Sequence, residues 1–556
     1  PLHAYSPSAG YAAVVRTTAE MGDVAVPPSY REAVRSPHRE YWMAAMQKEL
    51  AGLMERDVWT TVKRKLMPET ANLMNCHFVY DIRRTASGAI DKWKARLVAD
   101  GNTQRQESGD FSQIFSTVVK LSTVRLLLCL ACRDDHHLSS VDVRQAYLYA
   151  PVDEALYMRM PPTLPRQDAD GDELVARLNR SLYGLRQAAR QWNKMLTAFL
   201  VEWGFVQTVI DTCLFLYQNP DGVLRRAVWV DDIVISASCE TLRRRFVVAL
   251  AARFSLDDKG DLHWILGVRV TRDRKARRLA LSQELYVSDV LGRHAPHVDV
   301  ARRYDAPLST DDKLTREQCP PPGSPEQHAM RDKHSEYMTV VGALLWLASF
   351  TRPDLTHAAA VLARFVANPA HAHFVAMQRV LAYLHWTRGH ELEFKPQRDG
   401  ELLVYSDSDW ATRFSTSGCL IAFAGCAIHW HTRLQKSVSH STAEAEYIGA
   451  SMAAREACFV RDLLSEFRSL RPGPTRMLLD SKSAIDMAFD PVAFKKTKHV
   501  LRDAEYLRDL VAREVFKPEH VPSSRQLADA FTKALPRLVF AALVKVVLGG
   551  DAGAGP

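Results

Sequence analysis

The stretch AVWVDDIVIS, residues 227–236, sets two adjacent aspartates inside an otherwise apolar, β-branched run. Val, Trp and Ile in such a run predict a buried strand, where ionised carboxylates must be matched by cations or lie in a turn that faces water. A tight hairpin with Asp231 and Asp232 at its bend would expose both carboxylates at one point, where a divalent cation such as Mg²⁺ could bind. Because most Asp-Asp pairs are solvated turns, residues elsewhere must decide between the two interpretations.

The composition is that of a globular protein with several domains. A chain of 556 residues predicts about three or four domains, and 47% hydrophobic with 24% charged residues is typical of a folded protein with ample core. The net charge of +8 suits a polyanionic partner, although many unrelated proteins share it.

Nine cysteines scattered through apolar runs predict buried thiols in a reducing compartment. Without a long apolar run or a signal pattern, the chain is expected neither to span a membrane nor to be secreted, and its first residue, Pro, hints at a fragment.

A short basic hairpin is predicted near the N-terminus. HFVYDIRR (77–84) and WKARLVADG (93–101) alternate as strands do, with a turn at 86–88 between them. The hairpin carries the cations Arg83, Arg84, Lys92, Lys94 and Arg96. If its strands fold over a cleft, these cations could clasp a triphosphate. Without further context, a solvated basic face is the favoured interpretation.

A second acidic strand precedes the Asp-Asp pair, in SVDVRQAYLYA (140–150). Asp142 comes at the end of a short apolar strand, and Tyr147 follows five residues later. Together with Asp231 and Asp232, Asp142 would complete the three carboxylates that two-metal phosphoryl transfer needs, with the ions about 4 Å apart.

The segment LNRSLYGLRQAARQW (178–192) lies between these acids. Gly184 and the cationic Arg186 suit a close backbone approach to a base pair and template. The same residues could equally form a turn that enters an amphipathic helix.

Four segments occur in the order and spacing of copia-type LTR retrotransposon reverse transcriptases. They are DVRQAYLYAPVDEALYM (142–158), SLYGLRQAARQW (181–192), WVDDIVI (229–235) and FSLDDKGDLHWILGVRV (254–270). The chain resembles this family from about Tyr30 almost to its C-terminus. Four linked motifs in register are far more specific than any one of them.

The resemblance implies roles for several residues. The metal-binding triad of the palm would be Asp142, Asp231 and Asp232, of which Asp142 and Asp231 are expected to matter most. Tyr147 matches the aromatic residue that excludes a ribose 2′-hydroxyl, or else it is a core aromatic. Lys94 and Arg96 match fingers residues that face the incoming triphosphate.

The template and nucleotide-binding segment of the family matches Tyr183, Gly184, Arg186 and Gln187. Two positions depart from the usual pattern, because Asp100 stands where the family has lysine and Ala189 replaces a proline. An acid beside the basic hairpin could weaken nucleotide or template binding.

The C-terminal region resembles the RNase H domain of the same family. ELLVYSDSDW (401–410), MLLDSKSAI (477–485) and RQLADAFTKALP (525–536) place acids on separate elements, and Ser441 opens a helix. The predicted catalytic acids are Asp407, Glu446, Asp480 and Asp529. In such a site two metal ions activate water to cut the RNA strand of a hybrid.

Two of these acids required a choice between neighbours. Ser441 and Glu444 form a capping box, which gives Glu444 a structural role and leaves Glu446 as the catalytic acid. Asp407 is chosen over Asp409 because it occupies the place of the first strand aspartate in RNase H folds. In KTKHVLRDAEYL (496–507) Glu505 replaces a second family histidine after His499, which puts the grip on substrate in question.

The predicted fold is α+β, a right-hand polymerase with palm, fingers and thumb followed by a helical connection and an RNase H-like α/β domain. The predicted divisions are a flexible lead-in (1–29), the reverse transcriptase (30–310), a Pro-rich linker (311–335), the helical connection (336–398), the RNase H-like domain (399–540) and a tail (541–556).

The predicted function is RNA-directed DNA polymerase with RNase H activity, using two Mg²⁺ or Mn²⁺ ions per active site. The expected partners are an RNA template, a DNA primer, the RNA/DNA hybrid, dNTPs, and integrase and capsid parts of one polyprotein, with no membrane. The expected location is cytoplasmic, in a virus-like particle, or nuclear. The alternative is a decayed or domesticated fragment that binds nucleic acid without catalysis.

Overall fold

The computed structural model describes residues 24–84, 89–111, 117–229, 232–296, 298–299, 302–311, 313–411, 414–489 and 501–550. Helices and sheets, mostly antiparallel, are intermixed along these ranges, so the predicted α+β class is confirmed. Among the helices in these ranges, none is long and apolar enough to cross a membrane.

The N-terminal part combines two helices with the basic hairpin. Its elements are α1 (Tyr30–Arg35), α2 (Arg39–Glu55), β1 (Trp59–Lys63), β2 (Leu73–Met74), β3 (Cys76–Arg84) and β4 (Ile90–Ala99). Helix α2 presents apolar residues at helical spacing and buries Trp42, Met46 and Leu50 against β4. Side chains alternate along a strand, so the cations of β4 lie on the face away from α2.

The palm is built around a six-stranded antiparallel sheet. The next elements are α3 (Leu121–Arg133), β5 (His137–Val143), β6 (Tyr157–Arg159), β7 (Leu174–Leu178), α4 (Ala188–Trp203), β8 (Val206–Gln207), β9 (Leu214–Asn219), β10 (Gly222–Trp229), β11 (Asp232–Ala237), α5 (Glu240–Arg253) and β12 (Leu256–Asp261). The palm sheet has the order β12-β5-β11-β10-β9-β8, and a separate sheet has the order β1-β7-β6-β2.

The palm sheet is covered on both faces. Ile233 and Ile235 of β11 pack in one core with α4 and α5, whereas Val234 packs with α3 on the other side. A strand buried on both faces needs apolar side chains at nearly every position, which explains the continuous β-branched run. The run 227–236 is divided between β10 and β11, which pair as antiparallel neighbours with Trp229 opposite Asp232, so the predicted hairpin is confirmed together with the burial of β11.

A second sheet and a group of helices follow the palm. Their elements are β13 (Trp264–Ile265), β14 (Val268–Asp273), β15 (Arg278–Ser282), α6 (Glu284–His294), α7 (Pro325–Phe350), α8 (Thr356–Ala363), α9 (His371–Trp386) and β16 (Leu392–Phe394). Strands β13 to β16 form an antiparallel sheet. The helices pack around Tyr337, Leu344 and Leu362.

Helix α7 begins at Pro325 rather than near Glu336, so part of the predicted linker is helical. The Ser324 hydroxyl accepts a hydrogen bond from the backbone N–H of Gln327 at 3.2 Å, and Pro325 occupies the first helical position. Both features favour a helix start, and the preceding Pro-rich composition masked them in the sequence.

The C-terminal part has the strand order of an RNase H-like fold. Its elements are β17 (Leu402–Asp409), β18 (Thr416–Phe423), β19 (Cys426–Leu434), α10 (Thr442–Glu466), β20 (Thr475–Leu479), α11 (Lys482–Phe489), α12 (Leu501–Ala512), β21 (Phe516–His520) and α13 (Arg537–Val547). The sheet order is β19-β18-β17-β20-β21, with the first three strands antiparallel and the last two parallel to β17. Helix α13 continues through residue 540 and buries Leu543 and Val544, so the predicted tail begins inside a helix.

One core joins the palm to the RNase H-like sheet through α3. Arg125 of this helix is buried, and its Nε donates to the carbonyl of Ile428 at 2.6 Å. Its Nη1 donates to the carbonyls of Ser349 and Phe350 at 2.7 and 3.0 Å, and its guanidinium lies 4.0 Å from the ring centroid of Trp430. Three predicted divisions of the chain therefore meet at one residue, and their exact bounds stay predictions.

Candidate active sites

The first acidic cluster lies on two neighbouring strands of the palm sheet. Asp142 is near the end of β5, Asp232 is the first residue of β11, and the antiparallel register pairs them directly. Directly opposed residues hold their Cβ atoms about 4.5–5.5 Å apart on one face of a sheet, so these carboxylates can share a cation. Their side chains are 32% and 49% exposed, which leaves access from solvent. The third predicted ligand, Asp231, lies outside the described residues.

Lys259, which was not predicted from the sequence, supplies positive charge to this cluster. Its Nζ lies 3.9 Å from Asp142 Oδ2 and 3.6 Å from Asp232 Oδ1. The register of β12 against β5 brings it there. Asp257 of β12 is the cross-strand partner of Asp142 on the side of β5 away from β11. Arg144 donates a hydrogen bond to the Asp257 carboxylate, and its guanidinium lowers the pKa of Asp257. Lys259 thus places a positive charge beside both acids.

Tyr147 lies beside residues from two other segments. The chain bends after Asp142 through Gln145, which has φ +53°, into a 3-10 helix at Ala146–Tyr149. The ring centroid of Tyr147 lies 5.4 Å from that of Tyr183, edge to face. The guanidinium of Arg96 lies 5.4 Å from the Tyr183 ring centroid. The fold thus brings together three of the residues predicted to contact nucleotide.

The basic face of the hairpin carries both predicted fingers cations. Lys94 and Arg96 are two residues apart on β4, so they lie on the same face. Burial and the neighbouring Arg96 lower the pKa of Lys94. The cross-strand partner of Lys94 is Asp81, and that of Arg96 is Val79.

The segment from Gly184 to Gln187 contacts the loop that follows β4. Gly184 has φ +89°, and a Cβ at this position would lie 2.1 Å from the carbonyl oxygen of Ala99. Arg186 Nε donates to the carbonyl of Gly101 at 2.9 Å, and Gln187 Nε2 donates to the carbonyl of Asp110 at 2.8 Å. The close approach predicted for Gly184 is therefore to the chain's own backbone, while its template-binding role and those of Arg186 and Gln187 stay predictions.

The second acidic cluster lies at the carboxyl ends of two interior strands, β17 and β20, of the RNase H-like sheet. Asp407 is on β17 and Asp480 follows β20, which runs parallel to β17, so the carboxyl ends of both strands meet there. Asp529 comes from a 3-10 helix at Leu527–Phe531 that packs on β17 and β18. One carboxylate oxygen from each of these three acids lies within 4.8 Å of the others.

Glu446 of α10 completes this group. Its side chain is buried, and burial together with Asp407 and Asp480 raises its pKa to about 9. Burial and Asp407 also raise the pKa of Asp529 to about 7, although Lys533 opposes the shift. The four predicted acids thus gather into one site with excess negative charge.

Two further residues, which were not predicted from the sequence, contact the cluster. Lys533 Nζ lies 3.1 Å from Asp529 Oδ1 and 3.6 Å from Asp407 Oδ2. The Thr532 hydroxyl donates a hydrogen bond to Asp407. Both lie in the quoted segment 525–536, where the i, i+4 spacing from Asp529 to Lys533 was the available signal.

The neighbouring acids differ in their contacts. The Ser441 hydroxyl accepts a hydrogen bond from the Glu444 N–H at 3.2 Å, and Glu444 Oε2 accepts one from the His440 N–H at 2.8 Å. Glu444 therefore reaches back to the helix start, as a capping residue does. Asp409 is exposed, whereas Asp407 is buried. Of the altered histidine motif, His499 lies outside the described residues and Glu505 is exposed on α12.

The donor sets of both clusters suit Mg²⁺ or Mn²⁺. Their ligands are carboxylate oxygens, which hard divalent cations prefer. Glu446 Oε2 is buried without a hydrogen-bond partner among the described residues. A divalent cation would offset the repulsion that raises the pKa of Glu446 and Asp529, so the residues fit the ions.

The chain is similar to one protein family and to several known proteins. Residues 56–297 match the family model described as reverse transcriptase (RNA-dependent DNA polymerase). Over 519 residues the chain is 32% identical to the Retrovirus-related Pol polyprotein from transposon TNT 1-94 of Nicotiana tabacum, covering 92% of this chain and 38% of that protein. Over 514 residues it is 32% identical to the Retrovirus-related Pol polyprotein from transposon RE2 of Arabidopsis thaliana, and the match covers 92% of this chain and 34% of that protein. The chain thus spans about a third of the length of these relatives.

A solved structure of the foamy viral protease-reverse transcriptase in complex with dsDNA is also similar. The identity is 13%, the TM-score is 0.46, and the match covers 86% of this chain and 83% of that chain.

Proposed function

We propose that this protein is an RNA-directed DNA polymerase with RNase H activity, because residues 56–297 match the reverse transcriptase family model and 92% of the chain is similar to Pol polyproteins of plant transposons. The observation that carries the polymerase half is the direct cross-strand pairing of Asp142 with Asp232. The convergence of Asp407, Asp480 and Asp529 supports the nuclease half.

In the polymerase site, Asp142 and Asp232 would hold divalent cations together with Asp231. When bound, these ions would lower the pKa of the primer 3′-hydroxyl and stabilise charge on the triphosphate and its leaving oxygen. Lys94 and Arg96 would contact the triphosphate, because they share one face of the hairpin.

Tyr147 would lie against the sugar of the incoming nucleotide. Its edge-to-face contact with Tyr183 fixes the ring beside the chain that follows Asp142. A fixed aromatic ring there would exclude a ribose 2′-hydroxyl and so favour deoxynucleotides.

In the nuclease site, the buried acids would hold the ions next to the scissile phosphate of the RNA strand. Bound divalent cations would activate a water molecule for attack on that phosphate. Thr532 fixes the orientation of the Asp407 carboxylate through its hydrogen bond. Lys533 lies between Asp407 and Asp529 and offsets part of their charge.

Primer extension on poly(rA)/oligo(dT) with Mg²⁺ or Mn²⁺ tests the polymerase half. We expect Asp142→Asn to lower extension at least about 10³-fold, since it removes a ligand of the reacting ions. The matched control is Asp221→Asn, which changes an exposed acid in the β9–β10 turn and should keep activity. Wild type that extends primer no better than Asp142→Asn would instead support nucleic-acid binding without catalysis.

Cleavage of a labelled RNA/DNA hybrid tests the nuclease half separately. We expect Asp480→Asn to abolish cleavage and leave primer extension unchanged. The control is Asp486→Asn on α11, which lies outside the acidic cluster. Equal cleavage by wild type and Asp480→Asn would overturn the nuclease assignment without affecting the polymerase assignment.

A further inference from the structure

A group of sulfur and nitrogen ligands lies on the RNase H-like sheet, apart from both acidic clusters. Cys419 of β18 is directly opposite His431 of β19, and His429 lies two residues earlier on the same face. The Cys419 sulfur and one ring nitrogen from each histidine lie within 4.8 Å of one another. His431 Nδ1 and His429 Nε2 are 3.4 Å apart.

A carboxylate from the facing helix completes the group. Glu456 is on α10, and its Oε2 lies 3.8 Å from His429 Nε2. Its other oxygen is held by Arg433 Nη2 at 2.9 Å, which orients the carboxylate toward the histidine. Four potential ligands therefore come from two strands and one helix.

The separations are close to those of a tetrahedral zinc site. Zinc binds nitrogen and oxygen at about 2.0–2.2 Å and sulfur at about 2.3 Å, so neighbouring ligand atoms lie roughly 3.3–3.7 Å apart. The 3.4 Å and 3.8 Å distances differ little from this range. Cys419 and the two histidines already lie within 4.8 Å of one another, and Glu456 lies beside His429, so side-chain rotations would be needed to bring all four ligands to one ion.

The group is shielded from solvent. His431 would bind the ion through Nδ1, the nitrogen that faces His429 Nε2, and its other ring nitrogen, Nε2, is buried. The Cys419 side chain is itself only 1% exposed, which protects a thiolate from oxidation when it is bound.

We propose that Cys419, His429, His431 and Glu456 bind one Zn²⁺ ion as a closed structural site. Thiolate and imidazole ligands select zinc over magnesium, unlike the carboxylates of the two active sites. One thiolate and one carboxylate balance the two charges of the ion, which suits a site close to Arg433 and Arg125. The site does not depend on the proposed polymerase or nuclease activity.

The ion would brace the sheet where it meets the palm. His429 and His431 flank Trp430, whose ring contacts Arg125 of α3 and whose Nε1 donates to the carbonyl of Ala348 at 2.7 Å. A zinc ion would fix β19 to β18 and α10 at this contact. Its expected effect is therefore on the stability of the junction.

Titration of the full chain with Co²⁺ in excess Mg²⁺ tests the site. The Mg²⁺ would occupy the carboxylate clusters, so that the absorbance of bound Co²⁺ would come from the sulfur and nitrogen ligands. We expect one equivalent of Co²⁺ to give a thiolate-to-cobalt charge-transfer band, and one equivalent of Zn²⁺ to bleach it. Cys419→Ser should lose the band, and His431→Gln should weaken binding at least tenfold. The matched control is Cys426→Ser, a buried cysteine of the same strand pair that should keep the band.

A second readout covers variants that fold poorly. Zn²⁺ should raise the melting temperature of the wild type by roughly 2–4 °C and leave that of His429→Gln unchanged. Absence of the cobalt band in folded wild type, its persistence in Cys419→Ser, or its loss in Cys426→Ser would each overturn the proposal. None of these outcomes depends on primer extension or hybrid cleavage.

Discussion

Asp142 and Asp232 are directly paired across β5 and β11, and the ammonium group of Lys259 from β12 lies 3.9 and 3.6 Å from their carboxylates. Three neighbouring strands thus each place a charged group at the candidate polymerase site. The lysine and a divalent cation would compete for the same oxygens, because both are attracted to the same carboxylates.

Replacing this lysine should make the metal bind more tightly. We expect Lys259→Gln to lower the Mg²⁺ concentration for half-maximal primer extension by about 2–5-fold, a modest change because the group is half exposed. A Mg²⁺ titration of extension rate measures it, with the exposed turn residue changed in Lys275→Gln as control. An unchanged or higher midpoint would contradict the competition.

Shortening Tyr147 should relax the selection of deoxynucleotides. Tyr147→Val removes the ring that packs on Tyr183, so the ratio of kcat/KM for dNTP over rNTP should fall by about 10–100-fold. Single-nucleotide incorporation measures this ratio, and Tyr217→Val at the far side of the palm sheet is the control. If both variants keep the wild-type ratio, Tyr147 is a packing residue only.

The nuclease site should make the metal-free protein less stable at high pH. Burial and Asp407 raise the pKa of Glu446 from 4.5 to about 9 in the folded state. A raised pKa means that this group's contribution to stability is complete below about pH 4.5 and is lost as the pH rises toward about 9.

Glu446→Gln should remove that dependence. In EDTA, the wild type should lose more thermal stability than the variant between about pH 5 and 9, by roughly 2–4 °C, and Mg²⁺ should reduce the difference. The exposed acid changed in Glu505→Gln serves as control. Parallel melting curves for wild type and Glu446→Gln across this range would refute the coupling.

Arg125 should determine whether the two halves unfold together. Arg125→Met leaves the carbonyls of Ile428, Ser349 and Phe350 without their donor, at a cost of about 3 kcal/mol or more. We expect urea denaturation to separate into two transitions in this variant. Arg253→Met, which changes an exposed residue at the end of α5, should unfold as the wild type does. A single unshifted transition in Arg125→Met would show that the junction does not rely on this residue.

Gly184 and Gly267 have similar backbone conformations but differ in the space available for a side chain. Comparing them therefore tests the close contact between Gly184 and the end of β4. Both have positive φ, but an added Cβ meets the Ala99 carbonyl oxygen at 2.1 Å in Gly184 and nothing within 4 Å in Gly267. Gly267→Ala should therefore cost about 1–2 kcal/mol from backbone strain alone, and Gly184→Ala considerably more. Thermal unfolding of the two variants measures the difference. Equal losses of stability would mean that the backbone near Ala99 can move away from an added Cβ at little cost.

Local sequence patterns determined the elements that carry the acids. The β-branched run predicted β11, and the Ser441–Glu444 capping box predicted the start of α10. Such patterns act between residues close in the chain, so they can be recognised without the fold. The gathering of Asp407, Glu446, Asp480 and Asp529 followed from motif order, whereas their catalytic roles stay predictions.

Only the tertiary structure decided which distant residues meet. The pairing of β12 with β5 brings Lys259 to the acids, and the register of β18 with β19 sets Cys419 opposite His431. Strand order and register depend on how whole faces pack, and a shift by one residue would turn every side chain to the other face. For the same reason, the contact of Arg125 with the RNase H-like sheet has no local signal in the sequence that surrounds it.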